Sequence, residues 1–154
     1  MNITPVLEDY LERILIMQKE KKVVRVKDLA DYFKVKAPSV VNAISKLRKE
    51  ELVEQESYGF ITLTSKGKTL AQEIYKKHIL LKDFLHKVLY LDGTLAEDDA
   101  CKIEHYLSKK TIDHILAFMD FIKCKDGFPK WLDHFYYFVD TGKRPPDCKC
   151  QEDD

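Results

Sequence analysis

Apolar residues recur at helical spacing through Leu7, Tyr10, Leu11, Ile14 and Leu15, a stripe that predicts an amphipathic first helix. Thr4 and Pro5 ahead of it supply a cap and a proline suited to the first helical position, and the lysine-rich residues 19–22 are expected to end it. A short extended segment at residues 23–26 leads into a compact helical pair. Val26-Lys27-Asp28-Leu29-Ala30-Asp31-Tyr32-Phe33 forms the first member, residues 34–37 the turn, and Pro38 opens the second, with Val40, Val41, Ile44 and Leu47 as its core contacts. A short helix, a tight turn and a longer basic helix make the helix-turn-helix pattern. The period then becomes β-prone. Leu52-Val53-Glu54-Gln55-Glu56 and Phe60-Ile61-Thr62-Leu63-Thr64 flank Ser57-Tyr58-Gly59, which reads as a hairpin. A hairpin directly behind a helix-turn-helix is a wing.

Residues 65 to about 91 return to helical spacing, with Leu70, Ile74, Leu81, Leu85 and Leu89 marking a buried side. Asp92-Gly93-Thr94 breaks the run, and further helices are expected at about 96–109 and 111–122. These helices carry more apolar surface than one small chain can cover, so a second copy is expected to pair with them. Gly127-Phe128-Pro129 opens a short aromatic helix with Trp131, Phe135, Tyr136 and Phe138, and residues 142–146 end it. The fold class expected is mainly α: an N-terminal winged helix-turn-helix over 1–70, an all-helical dimerisation region over 71–124, and an aromatic helix with a cysteine-containing tail over 125–154.

Composition supports a globular chain, with 45% hydrophobic and 34% charged residues. No apolar run is long enough to span a membrane, and Glu8 and Asp9 come too early for a signal peptide. Four unevenly spaced cysteines do not make a secreted disulfide framework, so a cytoplasmic location is expected. The net charge of zero conceals a local imbalance: residues 19–49 hold ten Lys/Arg against Glu20, Asp28 and Asp31. Such a stretch fits either a polyanion footprint or a solvated lysine-rich surface.

Three groups of residues carry candidate chemistry. At about 100° per residue, Cys101, Glu104 and His105 share one helical face and can converge on one cation; the alternative is a core cysteine beside two exposed polar groups. Asp9 and Glu12 lie one turn apart, opposite the leucine stripe, where acidic residues are also favoured by the helix dipole. His78 sits alone on the long helix. In the tail, Cys148 and Cys150 with Cys124 could supply thiolates for a second metal or redox site, or could be reduced thiols on a mobile segment.

Taken together, Leu7-Glu8-Asp9-Tyr10-Leu11-Glu12, Val26-Lys27-Asp28-Leu29-Ala30, Ala37-Pro38-Ser39-Val40-Val41, Leu63-Thr64-Ser65-Lys66-Gly67-Lys68, the His78 segment and Cys101-Lys102-Ile103-Glu104-His105-Tyr106-Leu107-Ser108 resemble the diphtheria toxin repressor and manganese transport regulator family of metal-dependent transcription factors. The resemblance covers about residues 4–124 and leaves no room for the SH3-like domain of the iron branch. It implies that Asp9, Glu12, His78, Glu104 and His105 form a metal site like that of the manganese-sensing branch. Cys101 departs from that pattern. The iron-sensing branch has cysteine there, but usually methionine where this chain has Asp9. Hard carboxylates favour Mn²⁺ and a thiolate favours Fe²⁺, Zn²⁺ or Co²⁺. Fe²⁺ is therefore ranked first, Mn²⁺ next, with Zn²⁺ or Co²⁺ as further candidates.

The expectation is a cytoplasmic, homodimeric, metal-activated repressor, with no enzymatic activity, that binds double-stranded DNA at a palindromic operator. Metal would bridge the first helix to the second domain and set the two recognition helices about 34 Å apart, the spacing of successive major grooves. Ser39, Asn42, Ser45 and Lys46 are the DNA-facing candidates, with Asn42 suited to adenine and Ser39 equally suited to capping. Lys36, Lys46, Arg48 and the wing around Tyr58 would touch phosphate. The alternatives are a small metalloenzyme using Glu104 and His105, and a winged-helix protein-interaction module without metal or DNA.

Overall fold

The computed structural model describes residues 3–20, 23–56, 59–125, 127–146 and 148. Two compact units follow one another, Met1–Lys77 and His78–Asp154, each with its own apolar core. The first contains α1 (Pro5–Glu20), β1 (Val24–Arg25), α2 (Val26–Phe33), α3 (Ala37–Lys49), β2 (Val53–Gln55) and β3 (Phe60–Leu63). The long α4 (Ser65–Asp83) begins in the first unit and ends in the second.

Local chemistry sets the helix-turn-helix. The Arg25 N–H donates to Asp28 Oδ2 at 2.9 Å, which caps the start of α2. Lys34 ends α2 in the left-handed region at φ 55°. Pro38 lies in the first turn of α3, where its missing N–H costs nothing. Val40, Ala43, Ile44 and Leu47 are the buried face of α3, joining Leu11, Ile14, Leu29, Leu52 and Ile61 in the core. Val41, expected in the core, is instead 53% exposed. The i, i+3, i+4, i+7 stripe runs through Val40, and the next residue is turned about 100° away from it.

The three strands form an antiparallel sheet in the order β1-β3-β2, with Val24 opposite Ile61 and Val53 opposite Leu63. The β2–β3 pair is the wing predicted from the change of period. Gly59, at φ 78°, donates its N–H to Glu56 O at 2.8 Å, closing the turn. Tyr58, the expected wing contact, lies outside the described residues.

The junction behind α3 is tight. Thr64 Oγ1 donates to Glu51 O at 2.7 Å and Lys66 Nζ donates to Glu50 O at 2.8 Å. The first turn of α4 presses so closely on this segment that a Cβ on Gly67 would lie 1.8 Å from Leu52 O.

In the second unit, a π-helical turn (Phe84–Val88) follows α4, then α5 (Gly93–Ile103), α6 (Lys109–Ile122) and α7 (Trp131–Thr141). The long helix is therefore shorter than the pattern predicts, and Leu89 is exposed rather than buried. Leu81, Leu85, Ala96, Ala100 and Ile112 form one cluster; Val88, Ile122 and Leu132 form another, against Phe128, Phe135 and Tyr136 of the aromatic segment. Tyr136 stacks on Tyr90 at 4.4 Å and donates its hydroxyl to Lys87 O. Gly142, at φ 68°, ends α7. No helix among the described residues is long and apolar enough to cross a membrane.

The two glycines near helix starts test these contacts. Gly67→Ala is expected to destabilise the protein by about 2 kcal/mol or more, because the colliding atom is backbone and cannot swing away. Gly93→Ala, which meets nothing within 4 Å, is expected to be neutral or to stabilise by roughly 0.5 kcal/mol. Urea unfolding of the two variants beside the parent separates these outcomes.

Candidate metal centre and nucleic-acid interface

The second unit builds a line of charged and imidazole groups between α4 and α5. Ala96 and Ala100 are fully buried on α5, and their small side chains let this helix lie close to α4. Asp92 fixes where α5 starts, its carboxylate accepting from the N–H groups of Thr94 and Leu95 at 2.7 and 3.0 Å. The close packing brings His78 and Lys82 of α4 against Glu97 of α5 and Glu104 at its end. Lys82 Nζ lies 2.6 Å from Glu97 Oε2, Glu97 Oε1 lies 3.1 Å from His78 Nε2, and His78 Nδ1 lies 3.0 Å from Glu104 Oε2. On the far side of the same carboxylate, His105 Nε2 stands 3.3 Å from Glu104 Oε1.

Burial makes this group unusual. His78 is 5% exposed and Glu104 only 1%, and the His105 side chain is 4% exposed. The alternative in which Cys101 is buried while Glu104 and His105 face solvent is thus reversed: Cys101 is the exposed member. Glu104 Oε1 makes no hydrogen bond among the described residues. A carboxylate removed from water in this way is costly unless a positive charge or a metal compensates it. Two imidazoles flanking one carboxylate are a nitrogen–oxygen donor set suited to first-row divalent metals, so these residues fit such an ion.

The helix carrying this group ends earlier than its pattern suggests. Glu104 is the C-terminal cap, still helical at φ −58° and ψ −29°, with its N–H donating to Ala100 O at 3.0 Å. The one-turn spacing from Cys101 therefore survives, while His105 lies in the turn that follows. In the first unit, Asp9 and Glu12 lie one turn apart on α1; Glu12 is buried and Asp9 half-buried.

The outer face of α3 gathers the candidates for nucleic acid. Lys36, Ser39, Asn42, Ser45, Lys46 and Arg48 are all exposed. Lys36 takes the N-cap position, so Ser39 sits inside the first turn rather than capping it. Lys46, Arg48 and Lys49 crowd the last turn, a placement that the helix dipole also favours.

The tail cysteines are separate from this chemistry. Cys124 pairs its backbone with Gly127, and Cys148 lines an apolar cavity with Trp131, Phe135, Phe138 and Arg144. Among the described residues neither joins a cluster of three or more metal-ligating groups. Cys150 lies outside the described residues.

Glu97 and Lys82 were missed by sequence reasoning. Glu97 lies two turns before Glu104, on the same side of α5, and Lys82 one turn after His78, so helical spacing carried a signal for both. Charged residues at such spacings are common on solvated helices, and only the packing of α4 on α5 singles these out. Its hydrogen bond with Lys82 holds the Glu97 carboxyl below its ordinary range, against the opposing effect of burial.

Comparison with known proteins places both units. The family described as "Iron dependent repressor, N-terminal DNA binding domain" matches residues 2–60, and "Iron dependent repressor, metal binding and dimerisation domain" matches residues 64–132. An uncharacterised HTH-type transcriptional regulator of Methanocaldococcus jannaschii is 39% identical over 77% of this chain and 96% of its own length. The HTH-type transcriptional regulator MntR of Bacillus subtilis is 36% identical over 84% of this chain and 90% of its own. Among solved structures, the manganese regulator SloR is similar with a TM-score of 0.69 and 30% identity over 79% of this chain. This chain spans 56% of the SloR chain.

The Asp92 cap carries a pH dependence. Hydrogen bonds from the Leu95 and Thr94 backbones hold its carboxyl below the ordinary range. A depressed folded-state value means that the ionised cap stabilises fully above the ordinary carboxylate pKa and loses that contribution as pH falls through the lower, folded-state value. The gap in melting temperature between the parent and Asp92→Ala is therefore expected to be widest near neutrality and to shrink in acid. A gap that stays constant down to pH 2 would show that the charge of the cap contributes nothing.

Proposed function

The chain belongs to the iron-dependent repressor family and is a metal-dependent, DNA-binding transcriptional repressor, and from this premise we propose that its metal is held by Asp9, Glu12, His78, Cys101, Glu104 and His105. The observation that carries the proposal is the buried Glu104 carboxylate between the imidazoles of His78 and His105. Asp9 and Glu12 complete the set by their match to the family pattern. The family is one of transcriptional regulators, not of enzymes.

The bound metal supplies positive charge and directional bonds that draw ligands from α1 and from the second unit onto one ion. Glu104 and His105 anchor it, His78 offers a ring nitrogen, and Cys101 offers a thiolate. This would fix the separation of two recognition helices in a homodimer, matched to a palindromic operator in cytoplasmic DNA. A coupling of about 1–3 kcal/mol is enough to turn weak operator binding into strong binding. Asn42 reads a base edge from the outer face of α3, while Lys36, Lys46 and Arg48 meet phosphates. Cys101 gives the site softer character than an all-carboxylate set, so Fe²⁺ is preferred, Mn²⁺ comes next, and Zn²⁺ or Co²⁺ can replace them.

Duplex DNA binding followed by fluorescence anisotropy, with and without each divalent ion under anaerobic conditions, tests the reading. Lys46→Ala is expected to weaken binding to all sequences and to reduce the salt slope by about one counterion. Asn42→Ala is expected to relax discrimination at one base position. Unchanged salt slope and unchanged specificity in both variants would count against docking through α3.

Metal choice has its own test. Cys101→Glu is expected to improve Mn²⁺ activation relative to Fe²⁺, and Cys101→Ala to weaken both. With Co²⁺ the parent should show a sulfur-to-metal charge-transfer band that Cys101→Ser abolishes. Survival of the band in that variant would assign the sulfur elsewhere.

A further inference from the structure

His78 is held at both ring nitrogens, and the two contacts are not equivalent. Nδ1 faces Glu104 at 3.0 Å, within the proposed metal set. Nε2 faces Glu97 at 3.1 Å, and the second oxygen of Glu97 is engaged by Lys82 Nζ at 2.6 Å. An ionised carboxylate only accepts, so the ring nitrogen facing Glu97 must carry a proton. A neutral imidazole that donates from one nitrogen ligates through the other.

We propose that Glu97, anchored by Lys82, is a positioning residue: it takes the Nε2–H of His78, and so presents Nδ1, on the Glu104 side, to the metal. This inference rests on the reading of His78 as a ligand. It adds the carboxylate that selects the tautomer and locks the ring plane, in the way that partners behind ligating histidines do. Lys82 has a defined part: by neutralising the outer oxygen of Glu97, it keeps this carboxylate as a hydrogen-bond acceptor rather than a further metal ligand. The arrangement comes from two helical spacings, His78 to Lys82 on α4 and Glu97 to Glu104 along α5, brought into register by the packing of the two helices.

Calorimetric titration of the metal-free, full-length protein with Mn²⁺ alone and with Zn²⁺ alone tests the proposal. Glu97→Ala is expected to weaken affinity by about 10- to 100-fold at unchanged stoichiometry, and Glu97→Gln, which keeps an acceptor oxygen, to recover most of it. Long-range proton–nitrogen spectra of the Zn²⁺-loaded parent should show a protonated Nε2 on His78, with that proton exchanging faster in Glu97→Ala. Unchanged affinity in Glu97→Ala overturns the proposal. So does a lower number of ions bound per chain, which would make Glu97 a ligand, and so does a Glu97→Gln variant as weak as the alanine, which would make charge rather than the hydrogen bond the cause. His78→Ala separates the layers. If it loses metal while Glu97→Ala does not, the positioning role fails alone; if it binds like the parent, the ligand reading fails and the positioning role falls with it.

Discussion

The second unit is organised around one constraint, a carboxylate removed almost entirely from water. Glu104 can stay there only if its charge is answered locally, and the elements around it serve that end. Alanines at 96 and 100 bring α5 close to α4, the Asp92 cap fixes where α5 begins, and the end of α5 at Ile103 turns His105 toward the far oxygen of Glu104. The result is an alternating series, lysine, carboxylate, imidazole, carboxylate, imidazole, in which every member faces a partner of complementary character. A divalent ion entering such a series displaces little and gains a prepared donor set. Pre-organisation of this kind is what lets a protein hold a metal against competition from water.

The first unit is built by different physics. Its core is an ordinary apolar cluster, and its special features lie on the outside: a basic final turn on α3, a row of small polar side chains and one exposed valine. The tight junction at Gly67 ties the recognition helix to the start of α4 through backbone and lysine contacts. The orientation of α3 within the unit is thus fixed by groups that never need to meet DNA, which leaves its outer face free to be read as chemistry.

Much of this was legible in the chain itself. The helix-turn-helix, the wing and the aromatic helix all follow from changes in apolar period and from proline and glycine placement, and they occur where the period says. Val41 and Leu89 were misjudged because a run of adjacent apolar residues is wider than the stripe that packs, and only the tertiary partner decides which residue faces inward. The spacing of Glu104 and His105 marked them as chemistry, but not as buried, since burial depends on how closely α4 approaches. Glu97 and Lys82 stayed hidden for the same reason. Their meaning arises between helices, and a single sequence records spacing only along each one.

The π-helical turn at Phe84–Val88 has a consequence for descent. Its signature bond, from the Leu89 N–H to Phe84 O at 3.2 Å, encloses one residue more than an α-helical turn would. An extra residue in a helix rotates everything after it by about 100°, so this turn decides which side of the chain Val88 and the aromatic stack around Tyr90 occupy. Loss of any one residue there would restore regular winding and swing that cluster out of phase, while leaving His78 and Lys82 upstream undisturbed. The spacer between α4 and α5 can therefore drift in length among descendants of this chain only together with the packing of the aromatic segment, while the imidazole and ammonium groups on α4 are inherited independently of it.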